Sequence, residues 1–152
     1  MDQRIVRDAL IVFVSALAQG AGLTRFEGVA INIVLVLMVW YACTVRSIPK
    51  YMLLVLCAVY GLAPGIPWSN EVMFFGAVMV GIYILHDALP LRREAAYGTL
   101  LLVATLVLYA ALEVKFITHA PVLLVRELIY TGALAIGLAW YGWYGYERRS
   151  GY

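Results

Sequence analysis

The distribution of positive charge along this chain constrains its fold more than any other feature. Six apolar stretches, about 9–24, 28–44, 51–64, 72–88, 96–114 and 121–146, divide the sequence. Of the 11 Lys and Arg residues, Arg4, Arg7, Arg46, Lys50, Arg92, Arg93, Arg148 and Arg149 fall in alternate segments outside those stretches. Only Arg25, Lys115 and Arg126 belong to the other set. Short loops rich in Lys and Arg resist translocation, so such a bias sets the orientation of a polytopic membrane protein. The pattern predicts six transmembrane helices in one domain spanning 1–152, with both termini cytoplasmic.

Composition agrees. The chain is 64% hydrophobic and 13% charged, against about 25% charged in a soluble domain. Its 152 residues are too few to hide that much apolar surface from water. In lipid the backbone must satisfy its own hydrogen bonds, which leaves helices or closed barrels. Barrel strands alternate polar and apolar residues, and 31–38 and 51–59 do not alternate. An all-α bundle follows, with the lipid bilayer as its first partner. The net charge of +2 contains no basic block of the kind that binds nucleic acid.

The first segment also has the make-up of a signal peptide: Arg4 and Arg7, an apolar run, then Ala16-Leu17-Ala18. We read it as a retained signal anchor. Ser15, Ala16, Ala18, Gly20, Ala21 and Gly22 give helix 1 a small flank suited to close helix packing. Gln19 is its one strongly polar group, available for an interhelical hydrogen bond or a ligand. Asn32, about one turn inside helix 2, poses the same choice, because an unpaired amide in hydrocarbon is costly. Trp40 and Tyr41 mark the inner interface.

Pro64-Gly65-Ile66-Pro67-Trp68 ends helix 3, and Ser69 or Asn70 can cap helix 4, with Glu71 in its first turn. The 64–70 segment is either an interface loop or a lid over an outward cavity. His86 and Asp87, before Pro90, suit a helix C-terminus. Pro121 opens helix 6, where Arg126 and Glu127, with Glu113 across the link, bring both signs of charge together. They form either a structural ion pair or a ligand or partner contact. Farther on, Ala133 with Gly137 and Ala135 with Ala139 make small-xxx-small pairs. Trp140, Tyr141, Trp143, Tyr144 and Tyr146 form a heavy aromatic belt, for anchoring or for a partner.

No catalytic motif, phosphate loop or metal-spaced cluster occurs. Cys43 and Cys57 are not in a CxxC arrangement, and His86 and His119 are expected on opposite sides. A non-enzymatic protein without a cofactor is the expectation. The first helix with Ala18-Gln19, the passage Gly28-Val29-Ala30-Ile31-Asn32-Ile33-Val34-Leu35, and the long last helix with its basic tail resemble the rod shape-determining membrane protein MreD. The likeness covers most of the chain as hydropathy and spacing, and departs after helix 3, at Gly61-Leu62-Ala63-Pro64-Gly65-Ile66-Pro67. It implies a scaffold in the bacterial cytoplasmic membrane that binds other membrane proteins in cell-wall elongation, with Ala133, Gly137, Trp140, Trp143 and Tyr144 on its partner face.

The general plan is also similar to the substrate-binding subunits of energy-coupling-factor vitamin transporters. That likeness implies an outward cavity with Gln19, Asn32, Glu113 and Arg126 as its polar groups. An accessory subunit of a larger membrane complex fits the same composition.

Overall fold

The computed structural model describes residues 3–26, 29–66, 69–88, 92–112 and 121–144. Among them are six α-helices: α1 Gln3–Gly20, α2 Ile33–Thr44, α3 Ile48–Leu62, α4 Asn70–Ala88, α5 Arg93–Leu112 and α6 Pro121–Ala139. A π-helical turn, Trp140–Tyr144, extends α6. Between α1 and α2 lies one two-residue antiparallel pair, β1 Arg25–Phe26 and β2 Val29–Ala30, with Arg25 opposite Ala30 and Phe26 opposite Val29.

Helix α2 is the axis of the fold. Its sequence is apolar on every side, and a helix of that kind belongs inside. It touches all five other helices, and Val34, Leu35, Val36, Met38 and Val39 are fully buried. The surrounding helices keep large apolar side chains on the outside, such as Leu10, Leu56, Ile84, Leu102 and Ile136. The molecule is therefore apolar both at its centre and over much of its surface. Glu94–Ala111 and Pro121–Gly142 are long and apolar enough to cross a membrane, while the apolar helices 33–44, 48–62 and 70–86 are shorter.

Glycine decides the tightest contact, between α1 and α3. A Cβ on Gly61 would stand 2.6 Å from the Ala16 Cβ and 2.9 Å from the Phe13 carbonyl oxygen. One on Gly20 would stand 2.5 Å from the Leu62 carbonyl oxygen. The small flank of helix 1 thus has its partner within the chain.

Helix ends differ from the hydropathy boundaries, for local reasons. Helix α1 starts at Gln3 rather than about residue 9, because Arg and Gln are good helix formers that a hydropathy window rejects. It stops at a Schellman turn: Leu23 N–H donates to the Ala18 carbonyl at 2.9 Å and Gly22 N–H to that of Gln19 at 3.0 Å. Gly22 takes the positive φ of 74° that this turn requires. Helix α2 begins at Ile33 instead of about 28, since the β1–β2 pair occupies the preceding residues. Helix α3 begins at Ile48 with Pro49 in its first turn. The Ser69 hydroxyl accepts from Val72 N–H at 3.4 Å, so Ser69 is the residue that caps α4.

Helix α6 does not run on as a regular helix to about 146. It changes to the π-helical turn at Trp140, where the Trp40 indole occupies the space a Cβ on Gly142 would need.

Candidate functional site

Gln19 and Asn32, each open to an interhelical hydrogen bond or to a ligand, meet each other. Gln19 Nε2 donates to Asn32 Oδ1 at 3.0 Å. Asn32 Oδ1 also accepts from Leu35 N–H at 3.1 Å, and Gln19 Oε1 accepts from Val34 N–H at 3.0 Å. The first N–H groups of a helix have no partner within it. Here one is capped by Asn32 from the helix's own N-cap position and another by Gln19 from α1. Asn32 therefore does not sit a turn inside the helix, as the sequence suggested; it starts it.

Of the expected charge cluster, Arg126 and Glu127 lie within the described residues. Arg126 is exposed, whereas Glu127, its neighbour, is only 5% exposed and faces inward on α6. Glu113 and His119 lie outside the described residues, as do Pro67 and Trp68 of the expected lid and the basic pair Arg148–Arg149. Trp40 and Tyr41 are built into the bundle rather than displayed at its rim. Tyr41 is buried, and Trp40 meets Tyr97 edge to face, with ring centroids 5.8 Å apart at 86°. Cys43 and Cys57 are free thiols. His86 is half-buried near the end of α4.

Of the expected partner-face residues, Ala133, Gly137 and Trp140 are exposed. Ala135 is buried, while Ala133 and Gly137 are exposed, and a Cβ on Gly137 would meet nothing within 4 Å. The Ala133–Gly137 pair makes no close helix contact among the described residues. Trp140 is 69% exposed. Trp143 and Tyr144 belong to the π-helical turn by backbone; their side chains lie outside the described residues.

One concave surface is a groove that the sequence did not reveal. Although α5 and α6 follow one another, α6 packs on α2 and the β2 strand rather than along α5. The gap has a volume of about 490 Å³, within the range of ligand sites, roughly 300–1,000 Å³. Tyr97, Gly98, Leu101 and Thr105 form part of one wall, and Thr131, Gly132, Ala135 and Trp140 part of the other. Glu94 lies at one end. The span from Glu94 to Thr105 is about 16 Å at 1.5 Å per residue.

Three properties define what this groove can accept. Its lining is overwhelmingly apolar. Glycine stands on both walls, and added Cβ atoms at Gly98 and Gly132 would meet nothing within 4 Å. Its two threonines differ: Thr105 is buried, and its hydroxyl donates to the Leu101 carbonyl at 2.8 Å. Thr131 is 2% exposed, and its hydroxyl has no hydrogen-bond partner among the described residues. A buried hydroxyl without a partner is costly. Tyr97 is held by its own hydroxyl, which donates to the Val36 carbonyl at 3.4 Å.

Threonines inside otherwise aliphatic helices were the signal in the sequence. Their meaning depended on which helix faces stayed uncovered. Among the described residues no group of His, Cys, Asp and Glu could hold a metal ion. No family model matches the chain, and no curated protein or solved structure matches it.

Proposed function

We propose that this chain is an integral membrane scaffold whose α5–α6 groove receives a single transmembrane helix of a partner protein. The observation that carries the reading is the incomplete cover of α6. Only 17% of Pro121–Gly142 is buried, against 39% of Glu94–Ala111, and the uncovered side borders a glycine-flanked groove. Glycine on both walls lets another backbone approach closely, the geometry on which helix association in lipid depends. A small polar ligand would find few groups to fix its orientation there.

The apolar outer surface supports a bilayer setting, since a soluble monomer rarely exposes extended apolar patches. Helix α2, about 18 Å long at 1.5 Å per residue, is shorter than the roughly 30 Å hydrocarbon core. Its enclosure by the other helices permits that, because irregular backbone at membrane depth is tolerated where protein surrounds it. In this reading the Arg- and Lys-rich end is cytoplasmic, and the resemblance to MreD makes a single-span protein of the cell-wall elongation machinery the partner to seek.

A photo-crosslinking residue at Leu102, beside the groove, should capture one single-span protein in the native membrane. The same residue at Leu10, on the exposed face of α1, should not. Enlarging the groove glycines, G98L/G132L, should abolish the Leu102 adduct while the chain remains folded. An adduct with lipid alone, or one indifferent to the glycine replacements, would refute a helix-receiving groove.

A further inference from the structure

We propose that a second, polar pocket at the basic end of the bundle binds a phosphate-bearing anion, with an anionic lipid headgroup as the favoured source. The pocket, about 280 Å³, is formed where the start of α1, the α2–α3 link and the first turn of α3 converge. Arg4, Arg46 and Lys50 line it, one cation from each of those three pieces of chain, together with Asp8, Thr44 and Ser47. Segments remote in sequence thus bring positive charge to one concavity.

Among the described residues that line it, the one carboxylate is Asp8. Asp8 accepts from Arg7 Nη2 at 3.2 Å and from Arg7 Nε at 3.3 Å. The Thr44 hydroxyl donates to the Trp40 carbonyl at 3.0 Å. Ser47, by contrast, makes no side-chain capping bond to α3, so its hydroxyl can serve an anion. Guanidinium groups match phosphate with paired N–H donors, and a lysine adds a mobile point charge. Three cations and a hydroxyl suit several oxygens at once better than they suit a lone carboxylate.

Position favours a lipid as the source. Val6, Ile48 and Met52, close in sequence to the pocket residues, are exposed apolar side chains, a surface for the acyl chains of a molecule held by its headgroup. The inference rests on the membrane reading above but not on the partner helix. Failure of the chain to enter vesicles would count against the membrane reading, separately from any loss of lipid selectivity.

The test uses the full chain, reconstituted in phosphatidylcholine vesicles with and without phosphatidylglycerol. Lipid retention is then measured by native mass spectrometry. The wild-type chain should retain phosphatidylglycerol over phosphatidylcholine. R4Q/R46Q/K50Q should lose that preference by about tenfold or more, since each surface cation attracts anionic lipid appreciably. R4K/R46K, which keeps the charge, should retain most of it, and R92Q/R93Q should behave as wild type.

Inorganic phosphate separates the two sources. If phosphatidylglycerol is not preferred, but phosphate raises the melting temperature of the wild type and not of the triple variant, the site takes a free phosphate. The proposal fails if neither probe responds. It fails too if the triple variant responds like the wild type, or if R92Q/R93Q loses as much as the triple variant.

Discussion

A tyrosine hydroxyl inside an apolar bundle must find an acceptor, and the acceptor it finds ties helices together. Tyr51 is 1% exposed, and its hydroxyl lies 3.3 Å from the Met38 carbonyl on α2 and 3.2 Å from that of Met79 on α4. Its ring stacks on Tyr83, with centroids 4.6 Å apart. Tyr51→Phe keeps the ring and removes the donor. The carbonyls belong to helices that already use them, so the loss is one net hydrogen bond, about 0.5–1.5 kcal/mol. Reversible unfolding in mixed micelles would measure it, and an unchanged stability would show that the hydroxyl is not joining the helices. Gln19 and Asn32 allow a second residue-level test. Asn32→Ala removes an N-cap and the amide partner of Gln19 together, for about 1 kcal/mol. If the two amides act as a unit, the double-mutant cycle should give a coupling of about 0.6 kcal/mol, the usual size for polar pairs within membranes. Zero coupling would reduce them to two independent caps.

At the scale of elements, glycines of similar appearance have opposite meanings, and the structure tells them apart. Gly61 lies where α1 and α3 touch, so Gly61→Ala must push Ala16 and the Phe13 carbonyl away. That overpacking should destabilise by about 1–3 kcal/mol. Gly137 faces open space, so Gly137→Ala should stabilise the isolated chain by about 0.5–1 kcal/mol through helix propensity alone. If the two substitutions had the same sign, the assignment of α1–α3 as the close glycine contact would be wrong. The same contrast shows what the sequence could convey. Hydropathy located all six helices, because each contributes a long apolar run. It could not locate their ends, which depend on the Schellman turn at Gly22, the cap at Asn32 and the proline at 49. Nor could it say which small-residue stripe had a partner: Ala16 and Gly20 found α3, and Ala133 and Gly137 found none among the described residues. The α5–α6 groove was hidden for the same reason. Neighbouring helices are expected to pack, and only the three-dimensional arrangement shows α6 resting on α2 instead.

For the molecule as a whole, the contacts bring one set of helix ends together. The pocket of Arg4, Arg46 and Lys50 unites the starts of α1 and α3 with the end of α2. Trp40 against Tyr97 adds the start of α5, Tyr51 against Tyr83 the later part of α4, and Gly142 against Trp40 the turn after α6. Gly20 beside Leu62 lies at the opposite end. This up-and-down arrangement follows from side-chain packing, independently of any rule about positive charge. It makes a definite prediction for cells. In a chain whose two cysteines are replaced by alanine, single cysteines at Lys50 and Arg92 should react with an impermeant thiol reagent only after permeabilisation. Single cysteines at Leu23 and Ser69 should react in intact cells. Reaction of all four from one side would mean that the apolar outer surface is covered by something other than a bilayer, most simply by other protein, and the membrane reading would fall. The reverse pattern would keep the six crossings and overturn only the orientation. In that case the cationic pocket would face outward, and the phosphate it binds would have to come from the outer leaflet.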